Sequence, residues 1–213
     1  YVVFGRNVES PAQVQRLLLD LRAAAGRELL LAVDQEGGRV ARLRDPLTVW
    51  PPMARLGESG DAQLAEEVGA ALASEIGAVG FNVVFAPVLD VHFEGTTLAI
   101  GDRALSESTE LVAELGRALA RGIQGAGLAA CGKHFPGHGH VTVDSHLELP
   151  RCELTKDELM QRHVAAFAPA IEGGIDSIMT AHVVYPAVDA QPATLSGAWI
   201  DGVLRKELGF CGV

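Results

Sequence analysis

Residues 127–134 read Gly-Leu-Ala-Ala-Cys-Gly-Lys-His: a glycine, a short apolar run, then two side chains able to do chemistry. The same order recurs on either side. Gly26 precedes RELLLAVD, ending at Asp34, and Gly80 precedes FNVVFAPVLD, ending at Asp90. Gly174 precedes IDSIMTAH, ending at His182, and Gly209 precedes FCGV. Each glycine follows an amphipathic stretch, where a residue without Cβ suits a left-handed helix C-cap. The apolar runs show little alternation, as expected of parallel strands buried on both faces. Helix and strand alternating without hairpin signals predict an α/β fold with a parallel sheet.

The polar residues decide between the parallel folds. Asp34, Asp90, Lys133 with His134, and His182 all follow directly on an apolar run. Functional groups gathered at strand carboxyl ends are the habit of the (β/α)8 TIM barrel. An open doubly wound sheet also binds ligands there, but no Gly-x-Gly-x-x-Gly follows the first strand. About six strands are legible, the first and last cut by the chain ends, whereas a whole barrel has eight. The expectation is therefore one TIM-barrel catalytic domain over residues 1–213, incomplete at both ends.

Helix starts are marked too. Ser10-Pro11-Ala12-Gln13 and Thr155-Lys156-Asp157-Glu158 read as capping boxes, the second with Leu154 and Leu159 placed as a hydrophobic staple. Leu64, Val68, Leu72 and Ile76 predict one apolar helix face, and Leu111, Leu115 and Leu119 another.

Composition excludes several classes. The 213 residues are 48% hydrophobic and 21% charged, with a net charge of −10. There is no run of lysine or arginine, so neither a nucleic-acid groove nor an anionic membrane surface is expected as a partner. No apolar stretch approaches the roughly 18 residues of a membrane span. No signal peptide is visible, although Tyr1-Val2-Val3-Phe4 opens in mid-strand. Cys131, Cys152 and Cys211 are too few and too irregularly spaced for a disulfide framework or a zinc site. Buried packing is the expected role of each, and a reducing cytoplasm the expected compartment.

Two connections, 34–61 and 133–154, are far longer than the roughly 2–6 residues usual between strand and helix, and long loops of this kind tend to be functional. In the second, Asp144 stands two residues before His146. A carboxylate so placed can accept an imidazole N–H, fix the tautomer and leave the other nitrogen to move a proton near neutral pH. The same two residues also fit a loop-stabilising pair. His134, His138, His140 and His146 fit a metal site, but no Cys or Glu completes a familiar ligand spacing, so no metal is expected. In the first loop, Asp34, Glu36, Arg39 and Arg42 surround Gly37-Gly38, and such groups can share sugar hydroxyls. Read from the residues alone, Asp34 also fits a nucleophile. Arg39 reads first as a structural ion pair.

Seven motifs stand in one order along nearly the whole chain: VDQEGGRV (33–40), FAPVLDV (85–91), GDRALSE (101–107), GKHFPGHG (132–139), DSH (144–146), AHVVYP (181–186) and LRKELGF (204–210). Together they closely resemble the family 3 glycoside hydrolases, in particular single-domain bacterial β-N-acetylhexosaminidases. The resemblance implies a cytoplasmic enzyme of peptidoglycan recycling. It would release non-reducing-end N-acetylglucosamine from muropeptide fragments with retention of configuration. It matches Asp34, Arg42, Arg103, Lys133 and His134 to sugar-binding positions, and His146 to the acid/base with Asp144 as its partner. It implies no metal or organic cofactor, and it places the nucleophile in a Ser-Asp-Asp run after Val213. A catalytically inactive sugar binder and a β-glucosidase or phosphorylase specificity are the alternatives; the oligomeric state is not legible.

Overall fold

The computed structural model, which describes residues 1–93, 99–141 and 149–213, lines up five short apolar runs in chain order. The strands among the described residues are β1 (Val2–Val3), β2 (Ala32–Val33), β3 (Gln35–Gly37), β4 (Val40–Ala41), β5 (Val83–Val84), β6 (Ala129–Phe135), β7 (Ser177–Thr180), β8 (Val184–Tyr185) and β9 (Asp189–Pro192). Five of them make one parallel sheet in the order β1-β2-β5-β6-β7. Val2 faces Ala32, Val33 faces Val84, Val83 faces Ala129 and Cys131 faces Ser177. Val33, Val84 and Ala130 are wholly buried, as strands covered on both faces must be.

Helices fill the crossovers: α1 (Pro11–Ala25), then α2 (Met53–Ser59) and α3 (Ala62–Val79), then α4 (Thr109–Gly125), then α5 (Lys156–Arg162) and α6 (Ala168–Glu172). A wider π-helix, Ala198–Glu207, follows β9. Each parallel strand lies beside the previous one of its sheet, and the order never reverses. A doubly wound sheet reverses at its switch point, so this winding is of the TIM-barrel kind.

The caps follow from their sequences. Ser10 Oγ accepts from the Gln13 N–H, and Gly26 ends α1 in the left-handed region at φ 61°. The reciprocal bond of the first box is shifted by one: Gln13 Oε1 accepts from the N–H of Glu9, not Ser10. The Thr155–Glu158 box closes in both directions. On α3, Leu72 and Ile76 are buried but Leu64 is 40% exposed; Ala65 and Gly69 complete the inner face instead. There α3 and α4 approach closely, Gly69 lying against the Leu119 carbonyl and Gly122 against the Glu66 carbonyl.

Three expectations are corrected. The Phe210–Val213 run forms no strand, because Val213 alone pairs with β7, exchanging bonds of 2.9 and 3.0 Å with Ile178 and Asp176. Two small antiparallel ribbons, β3–β4 and β8–β9, were not signalled, since strands of two to four residues are too short to show alternation. Cys131 and Cys152 are buried, but Cys211 is exposed.

Candidate active site

Asp34 directly follows β2, and the next residues run on as β3. Side chains two apart in extended chain share a face, so Asp34 and Glu36 project together. Lys133, in β6, meets both: its Nζ lies 3.0 Å from Asp34 Oδ1 and 2.5 Å from Glu36 Oε1. Arg42, returned by the β3–β4 hairpin, binds Asp34 Oδ2 at 3.0 Å. Arg103 grips Glu36 with two bonds of 2.8 Å, the bidentate fork that suits guanidinium to carboxylate.

A second unit stands beside the first. The Leu89 N–H donates to the Lys133 carbonyl at 2.7 Å, which sets Asp90 next to His134. Asp90 Oδ2 lies 2.6 Å from His134 Nδ1, and Oδ1 accepts the His138 N–H at 2.6 Å. The peptide between Lys133 and His134 is cis. Because Asp90 is ionised, Nδ1 must carry the proton, leaving Nε2 to face a ligand.

The two units line a cleft of about 530 Å³ at the carboxyl ends of the strands, with Phe4, Arg39, Phe85, Thr180 and His182 on its walls. A larger cavity, about 830 Å³, is mostly apolar and is lined by residues such as Val2, Ala32, Val83 and Ala129; its charged side chain, Asp176, is spent on the Ala130 N–H. The chemistry lies in the smaller cleft.

Burial alone would raise the carboxyls of Asp34, Glu36 and Asp90. Lys133 with Arg42 outweighs it at Asp34, Lys133 with Arg103 at Glu36, and His134 with His138 at Asp90, so all three sit below the ordinary range. They are acceptors near neutral pH. Both oxygens of Asp34 and of Glu36 are held in ion pairs, which makes them poorer nucleophiles, and Asp90 is completely buried. None of the three is suited to be a nucleophile.

The turn after β6 is closely held. Tyr185, fully buried, donates its hydroxyl to the Gly137 carbonyl at 2.7 Å, and Gly139 leaves no room for a Cβ beside the Val91 carbonyl.

The structure thus brings Asp34, Arg42, Arg103, Lys133 and His134 together. Asp144 and His146 lie outside the described residues. Arg39 pairs with Asp102 at 3.3 Å on the exposed rim and donates to the Ala99 and Ile100 carbonyls. Among the described residues no group of three metal-ligating side chains converges. Two members of the site are singled out by the sequence without their partners. Glu36 reads as a rim group able to share sugar hydroxyls and Asp90 as a strand-end group; the structure adds that Glu36 pairs with Lys133 and Arg103, and Asp90 with His134.

Comparisons place this chain among known proteins. A family profile described as "Glycosyl hydrolase family 3 N terminal domain" matches residues 1–213. A beta-hexosaminidase of Nitrosomonas eutropha is 44% identical over 217 residues, spanning 99% of this chain and 62% of its own length. One from Pseudomonas aeruginosa is 44% identical, spanning 100% of this chain and 63% of its own. The chain therefore spans about three fifths of these relatives. The structure of NagZ from Neisseria gonorrhoeae in complex with N-trifluoroacetyl-D-glucosamine superposes with a TM-score of 0.93 at 40% identity, covering 100% of this chain and 63% of that one. A family 3 beta-N-acetylglucosaminidase from Paenibacillus superposes at 0.95 with 45% identity, covering 100% of this chain and 41% of that one.

Proposed function

Because this chain belongs to the glycosyl hydrolase family 3 N-terminal-domain family, we propose that it forms the sugar site of a retaining β-N-acetylglucosaminidase. The observation that carries this is Lys133 seated between Asp34 and Glu36, with Arg42, Arg103 and His134 around one strand-end cleft. Such a cluster offers fixed donors and acceptors to sugar hydroxyls, pre-set by ion pairs rather than assembled on binding. The N-trifluoroacetyl-D-glucosamine bound by the Neisseria relative supports a substrate of the N-acetylglucosamine type. The sequential parallel strands support a (β/α)8 barrel as the scaffold, with residues 1–213 within a single catalytic domain. Muropeptides of cytoplasmic cell-wall recycling are the substrates we favour.

The chemistry proceeds in two steps through an oxocarbenium-like transition state. A carboxylate attacks the anomeric carbon while His146, as imidazolium, protonates the departing glycosidic oxygen. Neutral His146 then takes a proton from water, which displaces the enzyme carboxylate and releases the sugar. Asp144 holds the imidazole. The family resemblance implies that the attacking carboxylate belongs to a Ser-Asp-Asp run expected after Val213, and the ion-paired or buried state of Asp34, Glu36 and Asp90 agrees with that assignment. No metal or organic cofactor takes part.

In the full chain, p-nitrophenyl β-N-acetylglucosaminide should release p-nitrophenol, and His146→Ala should slow release by about 10²–10⁴-fold. An unchanged rate removes His146 from proton transfer. Faster turnover of the glucoside than of the N-acetylglucosaminide contradicts the substrate assignment.

A further inference from the structure

His163 takes no part in the chemistry above, yet it is 1% exposed at the C-cap of α5, and neither ring nitrogen has a hydrogen-bond partner. A buried polar atom without a partner costs stability, so packing alone would favour an apolar residue at this place.

Its contacts suggest what offsets the cost. The ring meets Phe93 edge-on at 5.2 Å and His140 edge-on at 5.9 Å. It also abuts Gly137: a Cβ there would stand 2.6 Å from His163 Cβ and 2.7 Å from its Nδ1. Gly137 is thus pinched between the His163 ring and the Tyr185 hydroxyl on its carbonyl. One residue further, the His138 N–H binds Asp90, and Asp90 binds His134 Nδ1, each at 2.6 Å. The charged or titratable groups facing His163 are Asp90, which favours the imidazolium, and His140 and Arg162, which oppose it. Burial, the largest influence, keeps the ring neutral near pH 7.

We propose that His163 is a positioning residue of the sugar site: its ring fixes the Gly137–His140 turn and, through the His138 N–H and Asp90, orients His134. A flat five-membered ring can lie against the Gly137 backbone where a branched side chain of similar volume would push the turn away. The sugar-site part of this proposal rests on the function proposed above; the coupling of His163 to His138 does not.

The test is His163→Leu in the full chain, beside His163→Asn. His163→Leu removes both unpartnered nitrogens, so its Tm should match or exceed that of the parent protein. KM for p-nitrophenyl β-N-acetylglucosaminide should nevertheless rise about tenfold with a smaller change in kcat, as when binding is lost uniformly from ground and transition states. Hydrogen exchange at the His138 amide should quicken about tenfold, with α3 and α4 unchanged. His163→Asn should show the same KM and amide effects. Unchanged KM and His138 exchange overturn the proposal. So does a loss of protection spread over α3 and α4, or failure of both variants to fold, because His163 is then a packing residue only. If the parent protein turns over no sugar, the amide measurement still decides the coupling, and it is the hydrolase reading that fails.

Discussion

Lys133 holds an ammonium at 2% side-chain exposure between two carboxylates, and His163 holds a neutral imidazole at similar depth. His163 and the carboxylates of Asp34, Glu36 and Asp90 give the protein a two-stage response to acid. Burial pushes His163 from 6.5 down to about 4. As pH falls through that window the unfolded chain takes up a proton that the fold refuses, so stability drops by up to about 3 kcal/mol. Asp34, Glu36 and Asp90 are lowered in the fold, so their contribution is complete above the ordinary carboxylate range and is lost as pH falls below it. Urea midpoints measured from pH 7 to 3.5 should therefore fall first between 6.5 and 4 and then again below. His163→Leu should lessen the first stage, to which His138 and His140, also lowered by burial, contribute as well; equal slopes in both proteins would rule His163 out as a cause. At this scale much was legible in the sequence, because strand-end positions collect Asp34, Asp90, Lys133 and His134 whatever the details of packing. His163 was not legible: nothing local announces that the end of α5 will press on a glycine 26 positions earlier in the chain.

The α3–α4 pair shows what periodicity can and cannot reveal about an element. Both helices were legible from their apolar spacing, and Leu72, Ile76, Leu115 and Leu119 are buried as expected. The contact itself is made at glycines, which carry no hydrophobic signal: Gly122 meets the Glu66 carbonyl and Gly69 the Leu119 carbonyl. The exposure of Leu64 has the same origin, since the inner face is turned towards the small residues. Gly122→Ala should force the helices apart and lower unfolding stability by about 2–3 kcal/mol in urea melts, a typical overpacking cost. It should leave KM for the glycoside nearly unchanged, because no α4 residue lines the cleft. A neutral effect on stability would mean that the helices slide apart freely. The β3–β4 hairpin escaped notice for a related reason: two strands of three and two residues fold a loop back without any visible alternation, yet this return places Arg42 on Asp34.

For the molecule as a whole, the order of motifs said more than any one of them. Strands laid down in sequence, each beside its predecessor, bring every strand end to one rim, so groups as far apart as Asp34 and Lys133 share a cleft. The parallel fold and the gathering of polar groups at one rim were legible because both depend on that repeated order. The sheet pairing of the last run was not, since single-residue pairing at Val213 is settled by its neighbours in space. The same rim should hold the sugar so that its anomeric carbon is attacked from opposite faces in turn. An enzyme carboxylate attacks first, opposite the leaving group, and water then attacks on the face the leaving group has vacated, each step inverting the centre. The configuration at the anomeric carbon is therefore kept. The most direct test is proton NMR of the anomeric signal while the full chain cleaves p-nitrophenyl β-N-acetylglucosaminide. The expected result is β-N-acetylglucosamine appearing first and mutarotating slowly; the α-anomer appearing first would contradict a retaining hydrolase.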